Sequence, residues 1–185
     1  MKDGNSEDHV IDAEKADKLE DESRYRILSR EELLAQVEEG DTVLDVGSGT
    51  GFFTDDIAEK AGKVYAVDFQ KGMHDYYRKK GVPENVELVH SKVSEVELGE
   101  EADLVVSILS LHEIDLEKSL KRFEEVLADD GKIFVVDWSR NAEKDDVPPR
   151  EKLYTADEAG VKFSDCFDVE QSLERHDTFI LKASG

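Results

Sequence analysis

One stretch decides the fold of this chain: Val43-Leu44-Asp45-Val46-Gly47-Ser48-Gly49-Thr50-Gly51-Phe52-Phe53-Thr54. The pattern predicts a buried strand over 43–46, then a glycine loop, then a helix that begins near Phe52. Glycine lets the loop backbone adopt positive φ and approach a ligand closely. Because such a loop lies at the carboxyl end of the first strand of an open α/β sheet, the stretch predicts a site for a nucleotide-like ligand.

The glycine spacing and the acid before the loop restrict that ligand. A dinucleotide fingerprint, G-x-G-x-x-G, would place its third glycine at position 52, which is Phe52. No lysine occurs between Val43 and Glu59, which excludes the phosphate-binding Walker loop. Asp45 would repel a pyrophosphate but attract a cation through charge-assisted hydrogen bonds. The sequence therefore favours a ligand with an ammonium or sulfonium group and no phosphate.

With these features, the stretch over 43–54 resembles motif I of the class I S-adenosylmethionine-dependent methyltransferases, in particular the small-molecule, type 11-like enzymes. The resemblance implies an α/β fold with a Rossmann-like, doubly wound, seven-stranded sheet, mostly parallel with an antiparallel C-terminal hairpin. It also implies methyl transfer with S-adenosyl-L-methionine as the cofactor. The motif residues implied to bind this cofactor are Asp45, Gly47, Ser48, Gly49, Thr50 and Gly51.

The second predicted strand, 63–68, ends in an acid. Asp68 follows the glycine loop at about the spacing at which a carboxylate accepts hydrogen bonds from ribose hydroxyls. An alternative role for Asp68 is to cap the predicted helix over 71–80, and the two roles are compatible. By resemblance to motif II, Phe69 and Met73 pack against the nucleoside; ordinary core packing is the alternative for both.

The chain departs from the family pattern after the third predicted strand, 86–90. Many relatives have an aspartate there that binds the adenine amino group, and the backbone N–H of the next residue bonds a ring nitrogen. This chain has Lys92 and Val93 at those positions. A lysine cannot accept a hydrogen bond from an amino group. We therefore expect the Val93 backbone and apolar packing, rather than the Lys92 side chain, to recognise adenine.

The fourth predicted strand, 103–109, leads to the candidate for catalysis. The segment Ser110-Leu-His-Glu-Ile-Asp115 resembles the Leu-His-His-Ile segment of many small-molecule methyltransferases, with Glu113 in place of the second histidine. In that position a neutral His112 could accept the proton that a methyl acceptor releases. A structural loop histidine, bonded to the backbone, is the alternative.

The fifth predicted strand, 132–137, ends at the same edge of the sheet. Asp137 and Trp138 emerge there, and Trp138 either lines an acceptor pocket or closes the edge of the core. The charged loop over 139–150 is long enough to act as a lid over the acceptor.

The remaining periodic segments predict helices and a closing hairpin. The segment 24–37 has helical spacing and a capping-box pattern from Ser29 to Glu32. In related methyltransferases such a segment packs beside the cofactor, where Tyr25 or Arg26 could touch substrate. Core packing and surface charge are the favoured alternatives for these two residues. The other predicted helices are 53–61, 116–127, ended by Asp130-Gly131, and 154–164, and the hairpin strands are 168–175 and 177–183.

The chain of 185 residues is strongly acidic, with 46 Asp and Glu, 24 Lys and Arg, and a formal net charge of -22. We expect residues 1–22 to be a polar leader, frayed or partly helical, ahead of one methyltransferase domain over 23–185. Nucleic-acid backbones would be repelled, so we expect no nucleic-acid partner. By resemblance to the small-molecule enzymes we expect a small-molecule acceptor, with a protein acceptor as the alternative. The acidity is typical of proteins from salt-loving organisms and predicts a halophilic archaeal source.

Several classes of protein are disfavoured. The single cysteine, Cys166, permits no intrachain disulfide, and no apolar run is long enough for a membrane span. The amino terminus lacks the basic and apolar regions of a signal peptide, so we expect a cytoplasmic protein without a membrane partner. The five histidines have no paired ligand spacing, which predicts no metal site. Nothing in the sequence indicates an oligomeric state.

Two other functions are compatible with part of the pattern. One is a non-catalytic protein that binds S-adenosylmethionine, as a sensor or a partner subunit. The other is a nicotinamide-dependent oxidoreductase, which is disfavoured by the missing third glycine and by Asp45.

Overall fold

The computed structural model describes residues 13–185, which form one seven-stranded sheet with helices packed against it. The strands are β1 (Thr42–Val46), β2 (Lys63–Asp68), β3 (Val86–His90), β4 (Ala102–Ile108), β5 (Leu127–Trp138), β6 (Asp168–Glu174) and β7 (Thr178–Ser184). The α-helices are α1 (Ala13–Lys18), α2 (Arg30–Leu34), α3 (Phe52–Ala58), α4 (Lys71–Lys80), α5 (Leu116–Val126) and α6 (Ala156–Phe163). Short 3-10 helices occupy Glu22–Arg26, Val93–Glu95, Leu111–Glu113 and Arg150–Lys152.

The strands follow the order β3-β2-β1-β4-β5-β7-β6. The pairs from β3 to β5 are parallel, whereas β7 runs antiparallel to both β5 and β6. The predicted fold, a doubly wound sheet with an antiparallel C-terminal hairpin, is confirmed. Strand order reverses between β1 and β4, so the carboxyl ends of these parallel strands open the crevice in which such sheets bind ligands.

The sheet has a buried cluster on each face. Alternate residues of β1 point to opposite faces, because Leu44 and Val46 belong to one cluster and Val43 to the other. The first cluster also contains Phe123 of α5, and the second contains Ile57 of α3. Burial on both faces explains the continuous apolar runs of the parallel strands and holds their carboxyl ends in fixed positions.

The predicted helix with Ser29 as its cap is present, but the helical spacing over 24–37 does not give one continuous helix. The chain forms the 3-10 helix Glu22–Arg26 and then α2, because Ser29 is extended and its side chain accepts the N–H of Glu32 at 3.1 Å. The predicted capping box is only half formed, since the Glu32 carboxylate bonds Arg175 in the C-terminal hairpin. A contact distant in sequence replaces the local one.

Helices α3 and α5 are also shorter than predicted. Helix α5 ends at Val126, and Leu127 already belongs to β5, where it pairs with Ala102 of β4. The register then shifts, and residues 128–131 bulge from the strand. The predicted helix stop at Asp130-Gly131 is therefore an irregularity inside β5.

The described part of the expected leader packs on the domain. Ala16 in α1 is buried, and the carboxylate of Glu20 accepts a hydrogen bond of 2.5 Å from the hydroxyl of Thr50 in the glycine loop. Residues 1–12 lie outside the described residues. The division at residue 22 into a leader and a domain stays a prediction.

Candidate cofactor and acceptor site

The glycine loop between β1 and α3 requires glycine at two positions where a side chain would collide. Gly47 has φ +68°, and a Cβ there would lie 2.4 Å from the Cβ of Ser110. Gly51 has φ +86°, and a Cβ there would lie 2.2 Å from the ring of Tyr77. The N–H of Gly47 donates to the carbonyl of Val67 in β2 at 2.8 Å. The loop is thus held tightly between the β2 end, α4 and the segment after β4.

Asp68 at the end of β2 ties this loop to α4. One carboxylate oxygen accepts the N–H of Gly49 at 2.9 Å, and the other accepts the N–H of Gln70, which precedes α4, at 2.8 Å. Burial raises the pKa of Asp68, and the two N–H donors oppose that shift. A carboxylate has about four acceptor sites. Asp68 therefore fixes the residue that precedes α4 without bonding the first turn of the helix, and it keeps acceptor capacity for ribose hydroxyls.

A cavity of about 260 Å³, which we call the cofactor cavity, opens at the carboxyl ends of β1, β2 and β4. Its lining residues are Gly47, Val67, Asp68, Phe69, Ser91, Lys92, Val93, Ser94, Ser110, Glu113, Ile114, Asp115 and Ser119. Four of the residues predicted to bind the cofactor are on this wall: Gly47, Asp68, Phe69 and Val93. Lys92, which we expected not to recognise adenine through its side chain, also lies there.

The other residues predicted to bind the cofactor do not line the cavity. The Ser48 hydroxyl lies 3.5 Å from Nε2 of the buried His74, and the Thr50 hydroxyl is bonded to Glu20. Met73 is 3% exposed and belongs to the core, which was its alternative interpretation. Direct contacts of these side chains with the cofactor stay predictions.

The contribution of α5 to the wall of the cofactor cavity, the side chain of Ser119, was not predicted from the sequence. Ser119 lines the cofactor cavity, yet its Oγ is buried and has no hydrogen-bond partner among the residues the structure describes. A buried hydroxyl without a partner is costly and rare. The signal in the sequence was a serine three residues after Leu116, on the apolar face of an amphipathic helix.

Asp45 is a buried anion next to the glycine loop. It is 4% exposed, and the Thr54 hydroxyl donates to its carboxylate at 2.5 Å. Burial raises the pKa of Asp45 to about 6, although Thr54 and the nearby guanidinium of Arg24 oppose the shift. At neutral pH the group is ionised but poorly solvated, so an additional cation nearby would stabilise it.

His112 and Asp137 form a buried pair at the ends of β4 and β5. Nδ1 of His112 lies 2.8 and 3.0 Å from the two carboxylate oxygens of Asp137, which also accept the His112 backbone N–H at 2.9 Å. Because the carboxylate accepts, Nδ1 carries the proton and Nε2 is left as a base. Burial lowers the pKa of His112, but the hydrogen bond and charge of Asp137 outweigh it, so the net shift is upward. Nε2 lies 3.9 Å from the Glu113 carboxylate.

Trp138 extends this arrangement towards a second cavity. Its backbone N–H donates to Asp137 at 2.7 Å, and its half-buried side chain lines a space of about 440 Å³ at the same end of the sheet. Two roles were predicted for Trp138, to line an acceptor pocket or to close the edge of the core. Its position on a cavity wall agrees with the role of lining a pocket.

Two further features bear on the predictions from sequence. Within residues 13–185, no group of three or more His, Cys, Asp or Glu side chains is arranged to hold a metal ion. None of the helices described here is long and apolar enough to cross a membrane.

Comparison with known proteins agrees with this geometry. Residues 44–135 match a family model described as a methyltransferase domain. A crystal structure of an S-adenosylmethionine-dependent methyltransferase from Aquifex aeolicus is 31% identical with a TM-score of 0.83, and the match covers 94% of this chain and 98% of that one. The chain therefore belongs to the class I S-adenosylmethionine-dependent methyltransferases, and S-adenosylmethionine is the cofactor of this family.

Two curated relatives are similar over shorter segments. A probable ribosomal RNA small subunit methyltransferase A from Thermococcus gammatolerans is 38% identical over 71 residues, which are 38% of this chain and 26% of that protein. A malonyl-[acyl-carrier protein] O-methyltransferase from Acetivibrio thermocellus is 32% identical over 92 residues, which are 48% and 32% of the two chains. The matches thus span about a quarter to a third of these relatives' length, and the relatives differ in the acceptor that their names give.

Proposed function

We propose that this protein transfers the methyl group of S-adenosylmethionine to a small-molecule acceptor at the carboxyl edge of the sheet. The observation that carries the proposal is the proximity of two features. The cofactor cavity is lined by Asp68 and Val93, and the His112–Asp137 pair lies directly beside it, since Glu113 belongs to the cavity wall and lies 3.9 Å from His112 Nε2.

The lining residues fit an adenosyl group. Asp68 has acceptor capacity for ribose hydroxyls, and Phe69 is 42% exposed, so its ring is free to pack on a planar base. The backbone N–H of Val93 is suited to a ring nitrogen of adenine. The orphaned hydroxyl of Ser119 can accept a hydrogen bond from the adenine amino group, which is the task that Lys92 cannot perform.

The charged end of the cofactor fits the loop side of the site. Asp45 is a buried carboxylate whose pKa is raised chiefly by burial, which the charge of Arg24 offsets only in part. An ammonium or sulfonium group near Asp45 would lower that pKa and be bound more tightly in return. Asp45 thus supplies the preference for a cationic ligand over a pyrophosphate.

The chemistry required of the protein is alignment and proton removal. Bound S-adenosylmethionine supplies a methyl group on a positively charged sulfur, which departs as a neutral thioether. An acceptor atom that uses its lone pair to bond the methyl carbon must lose its own proton. His112 Nε2 accepts that proton, while Asp137 holds Nδ1–H and stabilises the imidazolium. The side chains of His112 and Asp137 are only 8% and 2% exposed, which limits the access of water to the proton transfer.

Titration calorimetry with S-adenosylmethionine, S-adenosylhomocysteine and NAD tests the cofactor part. We expect the first two to bind and NAD not to bind. Asp68→Ala should weaken binding about tenfold or more, because a charged hydrogen-bond acceptor contributes roughly 1.5–3 kcal/mol. The matched control is Asp130→Ala, an exposed acid outside the cavity. Binding of NAD alone to the folded protein would overturn the proposal.

Methyl transfer is tested with labelled cofactor and a pool of small metabolites. Incorporation that is lost in His112→Ala, with cofactor binding retained, supports the enzyme. Cofactor binding without transfer to any pool would favour the non-catalytic alternative. Methyl transfer to ribosomal RNA alone would show that the proposal of a small-molecule acceptor is wrong and that the acceptor is of the class in the name of the Thermococcus relative.

A further inference from the structure

The second cavity at the carboxyl edge, which we call the cationic cavity, differs from the rest of this acidic protein. It lies between the 3-10 helix Glu22–Arg26, the end of β5 and the β6–β7 turn. Its lining residues are Ser23, Arg24, Arg26, Ile27, Trp138, Lys144, Arg175, His176, Asp177 and Thr178. Four permanent cations thus face one carboxylate, in a chain whose net charge is -22.

Two of the four cations form no ion pair with an acid within the described residues. The Arg26 side chain is exposed; its charge helps to lower the pKa of Asp21, but no hydrogen bond or ion pair joins it to an acid there. The ammonium of Lys144 lies 5.4 Å from the centre of the Trp138 ring and pairs with no carboxylate. Both side chains therefore retain their full hydrogen-bonding capacity for a ligand.

The other two cations are held in position by the scaffold. Arg24 donates to the Leu19 carbonyl at 2.9 Å and stacks on Phe52 and Phe53, with its guanidinium carbon 5.2 and 4.8 Å from the ring centres. Arg175 bonds Glu32. A guanidinium fixed in this way is pre-organised for a planar anion such as a carboxylate.

The single carboxylate on the wall is already engaged. Asp177 accepts the backbone N–H groups of Glu143 and Lys144 at 3.0 and 3.1 Å, and it lies 3.3 Å from His176. Its charge is directed at these donors. The positive charge of Arg26 and Lys144 is therefore not neutralised from within the wall.

The cationic cavity also adjoins the proposed base. Trp138 forms part of its wall, and the backbone of Trp138 bonds the same carboxylate of Asp137 that holds His112. A ligand resting on Trp138 is thus one residue away from the group that positions the base. The volume of about 440 Å³ is in the range of small-molecule sites.

We propose that the cationic cavity binds the anionic group of the methyl acceptor, which is a small molecule carrying a carboxylate or a phosphate. The proposal rests on the methyltransferase function above and narrows the acceptor from any metabolite to an anionic one. Arg26 and Lys144 are the residues that select the charge, and Trp138 supplies an apolar face for the body of the molecule. The hydroxyl of Tyr25, the other residue expected to touch substrate, donates instead to Asp56.

Trp138 provides a direct measurement, since it is the only tryptophan in the sequence. The probes are inorganic phosphate and citrate, each titrated at constant ionic strength while tryptophan fluorescence is recorded. Arg26→Glu and Lys144→Glu are compared with Lys121→Glu, which makes the same charge change on an exposed side chain of α5. We expect saturable binding that falls about tenfold or more in both cavity variants, as for a lost charged hydrogen bond, and is unchanged in Lys121→Glu.

Each outcome decides the question. Equal affinity in all four proteins, or no saturable signal, would overturn the proposal. The phosphate and citrate titrations distinguish the two anionic groups. A single-stranded RNA oligonucleotide that binds wild type far more tightly than either probe, and fails to bind Arg26→Glu, would identify a polyanion site and also overturn it.

Calorimetry with S-adenosylhomocysteine on the same variants separates the two proposals. If S-adenosylhomocysteine binds all four proteins equally while the anions do not bind, the proposed cofactor site stands and the proposal for the cationic cavity is wrong. If the anions bind as expected but S-adenosylhomocysteine binds none of the proteins, the methyltransferase proposal fails by itself.

Discussion

The two cavities at the carboxyl edge of the sheet differ in charge and in how they are built. The cofactor cavity has Asp68, Glu113 and Asp115 on its wall, against one cation, Lys92. The cationic cavity has four cations and one carboxylate. On the two proposals above, the acidic wall of the cofactor cavity would repel an anionic acceptor and the cationic cavity would attract it, so charge would keep the acceptor apart from the cofactor.

The cofactor cavity depends on backbone geometry, and the largest expected effect comes from disturbing it. Gly51→Ala introduces a Cβ 2.2 Å from the Tyr77 ring at φ +86°, and we expect the free energy of unfolding to fall by about 3 kcal/mol or more. Gly72→Ala is the control, because a Cβ added at Gly72 in α4 would have no atom from outside its own turn of helix within 4 Å. Alanine there should raise the free energy of unfolding by up to ~1 kcal/mol. Urea unfolding measures both. Equal stability of the two variants would contradict the dependence on the loop.

The His112–Asp137 pair lies between the cavities and sharpens the comparison through its pKa. In wild type, the hydrogen bond and charge of Asp137 outweigh burial and hold the pKa of His112 above 6.5. Asp137→Asn removes that charge, so the pKa of His112 should be lower than in wild type. The base is active when deprotonated, so the acidic limb of kcat/KM should move to lower pH while kcat falls about 100-fold. NMR titration of His112 and a pH–rate profile check this. An unchanged His112 pKa would show that Asp137 does not tune the base.

Asp45 tests whether the cofactor site recognises positive charge. The carboxylate must be ionised to attract a cation, so affinity for S-adenosylmethionine should rise with pH through about 6, by roughly tenfold between pH 5 and 7. In Asp45→Asn the dependence should flatten. Because burial raises the folded-state pKa of Asp45 from 3.8 to about 6, wild-type stability falls as the pH rises through this range. The gain in stability of the unliganded Asp45→Asn protein over wild type should therefore be larger at pH 7–8 than at pH 5. Calorimetry and thermal unfolding across pH measure the two effects.

The smallest expected effect concerns the orphaned hydroxyl of Ser119. Ser119→Ala removes a buried group without a partner, so the unliganded protein should be equally or more stable, by up to ~1 kcal/mol. Affinity for S-adenosylhomocysteine should nevertheless fall about three- to tenfold, because the adenine loses a hydrogen-bond partner. Ser164→Ala, an exposed serine bonded to Val161, is the control. If Ser119→Ala lowers the stability of the protein and leaves the affinity for S-adenosylhomocysteine unchanged, Ser119 has a structural role instead.

Local patterns predicted the strands β2 and β3 and the helix α4 with their observed bounds, because each is bounded by turn residues or charge and has a clear apolar core. The prediction failed at 24–37, where Glu32 bonds Arg175 rather than its own helix end. Local patterns also could not identify Asp137 as the partner of His112, because 25 residues separate them and only the pairing of β4 with β5 brings them together.

By itself, the sequence determined the family, the doubly wound fold and the part of the site built from consecutive residues. The glycine loop and the acid after β2 are recognisable because backbone conformation and strand ends are set by local residue types. Only the tertiary structure decided the identity of the cofactor cavity's α5 wall, the orientation of His112 and the gathering of four cations from three distant segments. Those features depend on distances across the folded chain, which sheet order and packing establish and which no local pattern encodes.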